Sequence, residues 1–209
     1  MKTIQYSTAI VLFILCYNFR GTAQVTENAN NPWIISFGLS AIEDSGTKFS
    51  QPFEFAKNYH FTNPFLFSIE KRFRENYGLL LAANFNTFKE GKLLNSDVIE
   101  EDIDFFALDV FFKYYVSNKF VDKYRSPVEG YLLFGAGRSS YDGEFSENIN
   151  FGVGLTIFVT QDIRFFAQAM AKFDLVQKEN AGSNYFQYDF GILIRIPRKF
   201  SGNSILNTY

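Results

Sequence analysis

Asn150-Phe151-Gly152-Val153-Gly154-Leu155-Thr156-Ile157 is the stretch that decides the fold class. Phe151, Val153, Leu155 and Ile157 fall on one face, and Asn150, Gly152, Gly154 and Thr156 on the other. A period of two marks a β-strand with one apolar face. The alternation recurs upstream. Trp33, Ile35, Phe37, Leu39 and Ala41 oppose Ile34, Ser36, Gly38 and Ser40, and Phe65, Phe67 and Ile69 oppose Ser68, Glu70 and Arg72. Leu79, Leu81, Ala83 and Phe85 oppose Gly78, Ala82, Asn84 and Asn86, and Phe106 to Tyr114 alternates in the same way. Tyr131–Ser140 is a less regular run. Downstream, Phe165, Ala167 and Ala169 oppose Phe166, Gln168 and Met170, and Phe186, Tyr188, Phe190 and Ile192 oppose Gln187, Asp189 and Gly191. The reading is eight strands of about ten residues, the length a tilted strand needs to cross a bilayer. No helical period competes after residue 30, and no repeat or second domain is visible.

The connections sharpen this. Arg74-Glu75-Asn76 and Thr160-Gln161-Asp162 are tight, whereas roughly 44–62, 89–103 and 174–184 are long. Outer-membrane barrels have short periplasmic turns and longer outer loops. The stretch 116–127 breaks the rule, being periplasmic by order yet a dozen residues long.

The start of the chain reads as an export signal. Met1-Lys2 is followed by the apolar run Ala9–Tyr17, with the small residues Gly21 and Ala23 two apart. This is the pattern of a signal peptide cleaved after Ala23 or Gln24. A retained anchor needs about 20 apolar residues, and a lipoprotein acylated at Cys16 needs a smaller residue than Leu15 before it. Cleavage removes the only Cys, so stability has to come from something other than disulfides. The expected organisation is a signal peptide over 1–23, a periplasmic segment over 24–30, a barrel over 31–196 and a tail over 197–209.

Composition excludes several classes. Against 22 Asp+Glu stand 20 Lys+Arg, not the basic stripe that nucleic acid requires. One His and one Cys rule out His/Cys zinc clusters. The 27 Phe and 12 Tyr exceed what a core of this size needs and suit membrane–water interfaces.

Alternation does not by itself say which face points inward. A soluble ligand-binding barrel turns its apolar face in, and a membrane barrel turns it out. The polar face here mixes small residues with charges of both signs, as a narrow lumen requires. Rings gather near the strand ends, at Trp33, Phe73, Tyr77, Tyr114, Tyr115 and Tyr131 towards one rim and Phe88, Phe105, Phe106, Tyr141, Phe151, Phe173 and Tyr185 towards the other. The fold class expected is an all-β, eight-stranded antiparallel up-and-down transmembrane barrel, with both mature termini in the periplasm. The interface aromatics expected are Trp33, Phe73, Tyr77, Tyr114, Tyr131, Phe151 and Tyr185.

Asn31-Pro32-Trp33 through Gly38 to Asp44-Ser45-Gly46 resembles the opening strand of OmpA-like barrels of Gram-negative outer membranes. Tyr131-Leu132-Leu133-Phe134-Gly135-Ala136-Gly137 and Asn150-Phe151-Gly152-Val153-Gly154 are similar to later strands of that family. The resemblance covers about 31–196. It implies an envelope role, with outer-membrane lipid and lipopolysaccharide as surroundings and a monomeric barrel. Many relatives continue into a peptidoglycan-binding domain. The short tail after Ile196 leaves no room for one, so wall tethering is not carried over. Gly191–Ile196 is the expected assembly signal.

The polar face concentrates Glu70, Arg72, Asp109, Lys113, Lys172, Asp189 and Arg195. Facing inward, these must pair. They form either a salt-bridge plug in a lumen too narrow for diffusion or a gated ion path in which Arg72 and Lys113 exchange partners. The plug is the favoured reading, with a small-ion or small-solute channel as its rival. A soluble lipophile-binding barrel and a lipid-modifying enzyme rank lower. The enzyme would need His60 with a distant Ser45 or Asp104, and a surface His in an aromatic loop is the simpler expectation. Asp97, Glu100, Glu101, Asp102 and Asp104 cluster, but lack the spacing of a calcium loop. Phe49, Phe53, Phe55, Tyr59 and Phe61 in the first loop read as rim packing, with a partner-binding patch as the alternative. No catalytic set, metal or cofactor is expected.

Overall fold

The structure, a computed structural model, describes residues 32–44, 58–74, 76–94, 97–121, 126–160, 162–175 and 184–196. The expected signal peptide, the tail, Ser45 and the rings of Phe49, Phe53 and Phe55 lie outside these residues. Eight long strands form the wall: β1 (Trp33–Glu43), β2 (Thr62–Phe73), β3 (Tyr77–Phe88), β4 (Ile103–Tyr114), β5 (Val128–Tyr141), β6 (Glu144–Phe158), β7 (Ile163–Asp174) and β8 (Tyr185–Ile196). Each pairs antiparallel with its sequence neighbour, and β8 returns to β1 with Trp33 opposite Ile196 and Glu43 opposite Phe186. The sheet therefore closes and leaves no edge, as a strand structure in lipid must.

The register fixes the shape of the barrel. From Trp33 the ladder passes through Lys71, Leu79, Phe112, Phe134, Phe151, Ala171 and Phe186, and re-enters β1 at Glu43, ten residues beyond its start. Ten rises of about 3.3 Å against eight strand spacings of about 4.8 Å tilt the strands by roughly 40°. A twelve-residue strand at that tilt spans roughly 30 Å of bilayer.

The apolar face points outward. Phe37, Phe65, Leu81, Val110, Phe134, Val153, Phe165 and Phe190, one from each strand, are all exposed on the outer surface. A chain with this belt is stable in lipid rather than water. At the rim where β1 begins, Trp33 is 50% exposed with the Lys71 ammonium over its ring, and Tyr77 stacks with Phe73 and Tyr114.

Four details depart from the sequence reading. Tyr131 and Tyr185, expected at the interface, are each only 2% exposed and sit in the lumen. Tyr131 shares its face with Leu133, and Tyr185 shares its face with Gln187 and Asp189, so the period of two turns both inward. Tyr115, Phe88, Phe105 and Tyr141 are buried in the same way. Phe151 does face outward, but as the middle residue of β6 it lies in the apolar belt rather than at a rim. Finally, β5 and β6 run further than expected and meet in a two-residue turn, Asp142-Gly143, in which both residues have positive φ (47° and 91°). That conformation suits a hairpin continuing the strand twist.

The described parts of the first and third connections pack at one barrel end. Tyr59–His60 pairs with Ile42 and Glu43 at the outer end of β1. Leu93–Leu94 and Asp97–Val98 form a small hairpin whose neighbour Ile99 is buried. At the other end, the over-long connection between β4 and β5 contains a 3-10 turn, Val116–Lys119. Its Ser117 Oγ accepts the Gly130 N–H at 2.9 Å, and its Asn118 side chain donates to Glu129 at 3.1 Å.

Candidate functional site

The inward faces of the strands build a lumen with four levels. The level at the end where β1 begins and β8 ends is ionic. Arg72 makes a two-pronged contact with Glu129 (2.5 and 3.1 Å), and Arg164 approaches the same carboxylate at 3.7 Å. Just above, Lys113 donates to Glu70 at 3.0 Å, and Tyr115 donates to the other oxygen of Glu70. The cations also lie on rings, with Arg72 over Tyr115 and Lys113 over Tyr131, both at 3.8 Å. A guanidinium held at once by a carboxylate, a ring and a second charge is well compensated despite burial. Arg195 caps the level by donating to Asp162 at 2.9 Å.

The second level is apolar: Leu66, Leu80, Phe111, Leu133, Phe166 and Met170 are buried together. Bulky side chains fit there because glycines stand opposite them. A Cβ at Gly154 would enter the Tyr131 ring, and one at Gly191 would meet the Phe37 carbonyl across the β1–β8 seam. The absence of side chains at these two positions is what admits the rings.

The third level is polar. Lys172 donates to Asp109 at 2.6 Å, Asn150 donates to the other oxygen of Asp109 at 2.8 Å, and all three residues are fully buried. Asp189 accepts from Gln168 at 2.9 Å and from Gln187 at 2.9 and 3.0 Å. Tyr185 shares a 2.7 Å hydrogen bond with Ser139.

The outer level is aromatic. Phe88 stacks on Phe105 at 5.1 Å, Tyr141 and Tyr185 meet Phe105 edge-on, and Ile42 and Ile99 complete the cluster. His60 stacks on Phe88 at 3.8 Å. It is 1% exposed, so the expected surface histidine is a buried one. Its Nε2–H donates to the Leu93 carbonyl at 3.0 Å, while Asn86 Nδ2 donates to the carbonyls of His60 and Ser40. Burial, with Lys92 nearby, pushes the imidazole down to about 4, so it is neutral at ordinary pH. Asp104 lies instead at the outer rim, where it bonds with Thr87 and Asp142.

Of the seven charges read from the sequence, the structure brings Glu70 to Lys113, Arg72 near both, and Asp109 to Lys172. Asp189 is hydrogen-bonded to the two glutamines rather than to a cation, and Arg195 turns to Asp162. Two residues of the ionic level, Glu129 and Arg164, were missed. Both stand one residue inside a strand end, outside the alternating runs used to find the strands. The acidic cluster does not converge. Asp102 binds Lys89 and the Glu90 N–H, and no group of three potential metal ligands occurs among the described residues.

A closed eight-stranded wall with a lipid-facing belt defines an outer-membrane β-barrel. Solved structures agree at the level of the fold. The outer membrane protein OprG from Pseudomonas aeruginosa superposes with a TM-score of 0.57 at 11% identity, over 81% of this chain and 98% of that one. The outer membrane protein AlkL gives 0.51 at 14% identity, over 87% and 98%. Neisserial surface protein A gives 0.50 at 16% identity, over 79% and 97%. No protein-family profile and no curated protein sequence matches the chain.

Proposed function

We propose that this chain is an integral outer-membrane barrel with a structural role in the envelope of a Gram-negative bacterium, its lumen closed to solutes by its own side chains. It is exported by a cleaved signal peptide. It works as a monomer surrounded by outer-membrane lipid and lipopolysaccharide, without a cofactor or a catalytic step. One observation carries the reading: side chains from both ends of the barrel are locked across the lumen. The Arg72–Glu129–Arg164 and Lys113–Glu70 contacts cross its base, and the Phe88–Phe105–Tyr141–Tyr185 cluster crosses its outer end. An eight-stranded interior is only wide enough for such side chains to fill.

Planar-bilayer recording of the purified protein tests this. The expected trace has no unitary steps. Steps in the wild type that change in size when Arg72 or Lys113 is neutralised would replace this reading with the channel.

A further inference from the structure

We propose that the polar level of the lumen is a binding site for a monovalent metal cation, centred on Asp189. The inference goes beyond the closed-lumen reading and does not need it to be true.

The argument starts from charge. Among the described residues, the carboxylates of Glu70, Glu129, Asp109 and Asp189 are buried along the lumen, whereas the buried Glu43 at the end of β1 is covered by the Tyr59 and Tyr188 hydroxyls. Glu70, Glu129 and Asp109 each have a Lys or Arg nitrogen within 3.0 Å. Asp189, 2% exposed, has no such partner among the described residues. Its hydrogen bonds come from the neutral amides of Gln168 and Gln187. Lys172 on the neighbouring strand is engaged with Asp109. Asp109, Asp189 and Lys172 together leave the polar level with an excess of one negative charge. A carboxylate held by neutral donors, with the nearby Lys172 bonded to another carboxylate, is costly in such surroundings unless something positive joins it.

The second observation concerns the neighbours. Asn84, 1% exposed, has neither its amide oxygen nor its amide nitrogen paired. The Asn150 Oδ1 and Gln187 Oε1 atoms are likewise buried and unpaired, because the nitrogens of both amides are spent on carboxylates. These atoms belong to β3, β6 and β8, on different sides of the wall, and all lie on its inward face. Buried amide oxygens are nearly always satisfied in folded proteins. Asn84 lies two residues along β3 from the position opposite Asp109, Asn150 is bonded to Asp109 and Gln187 to Asp189, so their three unsatisfied oxygens and the Asp189 carboxylate offer an oxygen-only donor set with a single formal charge. Such a set suits a hard cation, and one surplus charge matches a monovalent ion better than calcium or magnesium. Water completes its coordination and satisfies the Asn84 nitrogen. The aromatic level above and the apolar level below would hold the ion once the barrel has closed.

Rubidium is the probe. The full-length mature protein is folded and crystallised in rubidium chloride, and anomalous differences are collected at the rubidium edge. The expected result is one peak inside the barrel, within coordination distance of an Asp189 oxygen, that disappears in Asp189→Asn. A wild-type map with water alone at this level overturns the proposal and leaves Asp189 to be neutralised by a proton. A solution measurement covers the possibility that the variant does not crystallise. The urea midpoint of the wild type should rise with the logarithm of rubidium concentration, with N-methylglucamine chloride holding ionic strength constant. The midpoint of Asp189→Asn should not move. A flat wild-type response, or an equal rise in both proteins, refutes the site. A bound rubidium in a barrel that conducts would sink the closed-lumen reading and leave the site standing.

Discussion

Replacing Lys172 by Met removes the only ammonium within 4 Å of Asp109 among the described residues while keeping most of the side-chain volume. The carboxylate has no exposure to solvent and retains a single neutral donor, Asn150 at 2.8 Å. Breaking a buried pair from one side leaves a stranded charge, which costs about 3–5 kcal/mol. Removing both partners, as in Asp109→Leu with Lys172→Met, also removes the stranded charge, and the double variant should fall within ~1–2 kcal/mol of the wild type. The double-mutant cycle should therefore give a coupling energy above ~2 kcal/mol. Urea titration in phospholipid micelles reads this out. The single tryptophan, Trp33, is half exposed at the rim where β1 begins and loses its lipid contact on unfolding. A Lys172→Met barrel within ~1 kcal/mol of the wild type would refute the reasoning, since it would show that the pair is solvated rather than buried.

Other tests probe different levels. His60→Phe keeps the stack on Phe88 but does not titrate. Because the folded imidazole sits near 4, below its ordinary 6.5, the wild type keeps this contribution above pH 6.5 and loses it as pH falls through 4. The wild type should lose up to about 3 kcal/mol relative to His60→Phe across that window, and parallel pH–stability curves would contradict the burial of His60. Gly191→Ala pushes a methyl group into the Phe37 carbonyl and the Phe166 ring and should cost about 1–3 kcal/mol. Gly130→Ala, whose nearest neighbour would be 3.8 Å away, should shift the urea midpoint far less, and equal shifts in the two would argue against the glycine packing. Val110→Arg places a charge in the lipid belt and should destabilise the barrel by about 2–4 kcal/mol in vesicles. A neutral result there would mean that this surface does not face lipid.

The strands and the direction of their faces were legible because a two-residue period leaves a mark on every residue of a strand. Leu81 against Ala82, or Val153 against Gly152, states its side without any reference to tertiary structure. The rings at strand ends were not legible in the same way. Tyr131 and Trp33 both stand near a strand start, and only counting parity from the strand centre separates a lumen residue from an interface residue. Glu129 and Arg164 escaped because a strand boundary read from alternation is uncertain by a residue or two. His60 escaped because its burial depends on a hairpin around Leu93 that is distant in sequence. The ion pairs posed a further difficulty. Seven charges on one face announce that pairing must occur, but the partner of each is set by the ten-residue stagger, which appears only when the ring of strands is closed.

That closure sets a condition on how the protein can be made. The hydrogen bonds between β1 and β8 join the two ends of the barrel segment, Trp33 to Ile196, and they form only when the whole of it is present. Until they form, the first and last strands each offer a row of bare amides and carbonyls that hydrocarbon does not tolerate. A chain interrupted anywhere before β8 is therefore not a smaller barrel. It is an open sheet with two edges, suited neither to lipid nor to water, and its fate is to aggregate or be degraded. Insertion and completion are one event for this molecule, and the seam between Gly38 and Gly191, where the two backbones meet without a side chain between them, is where that event concludes.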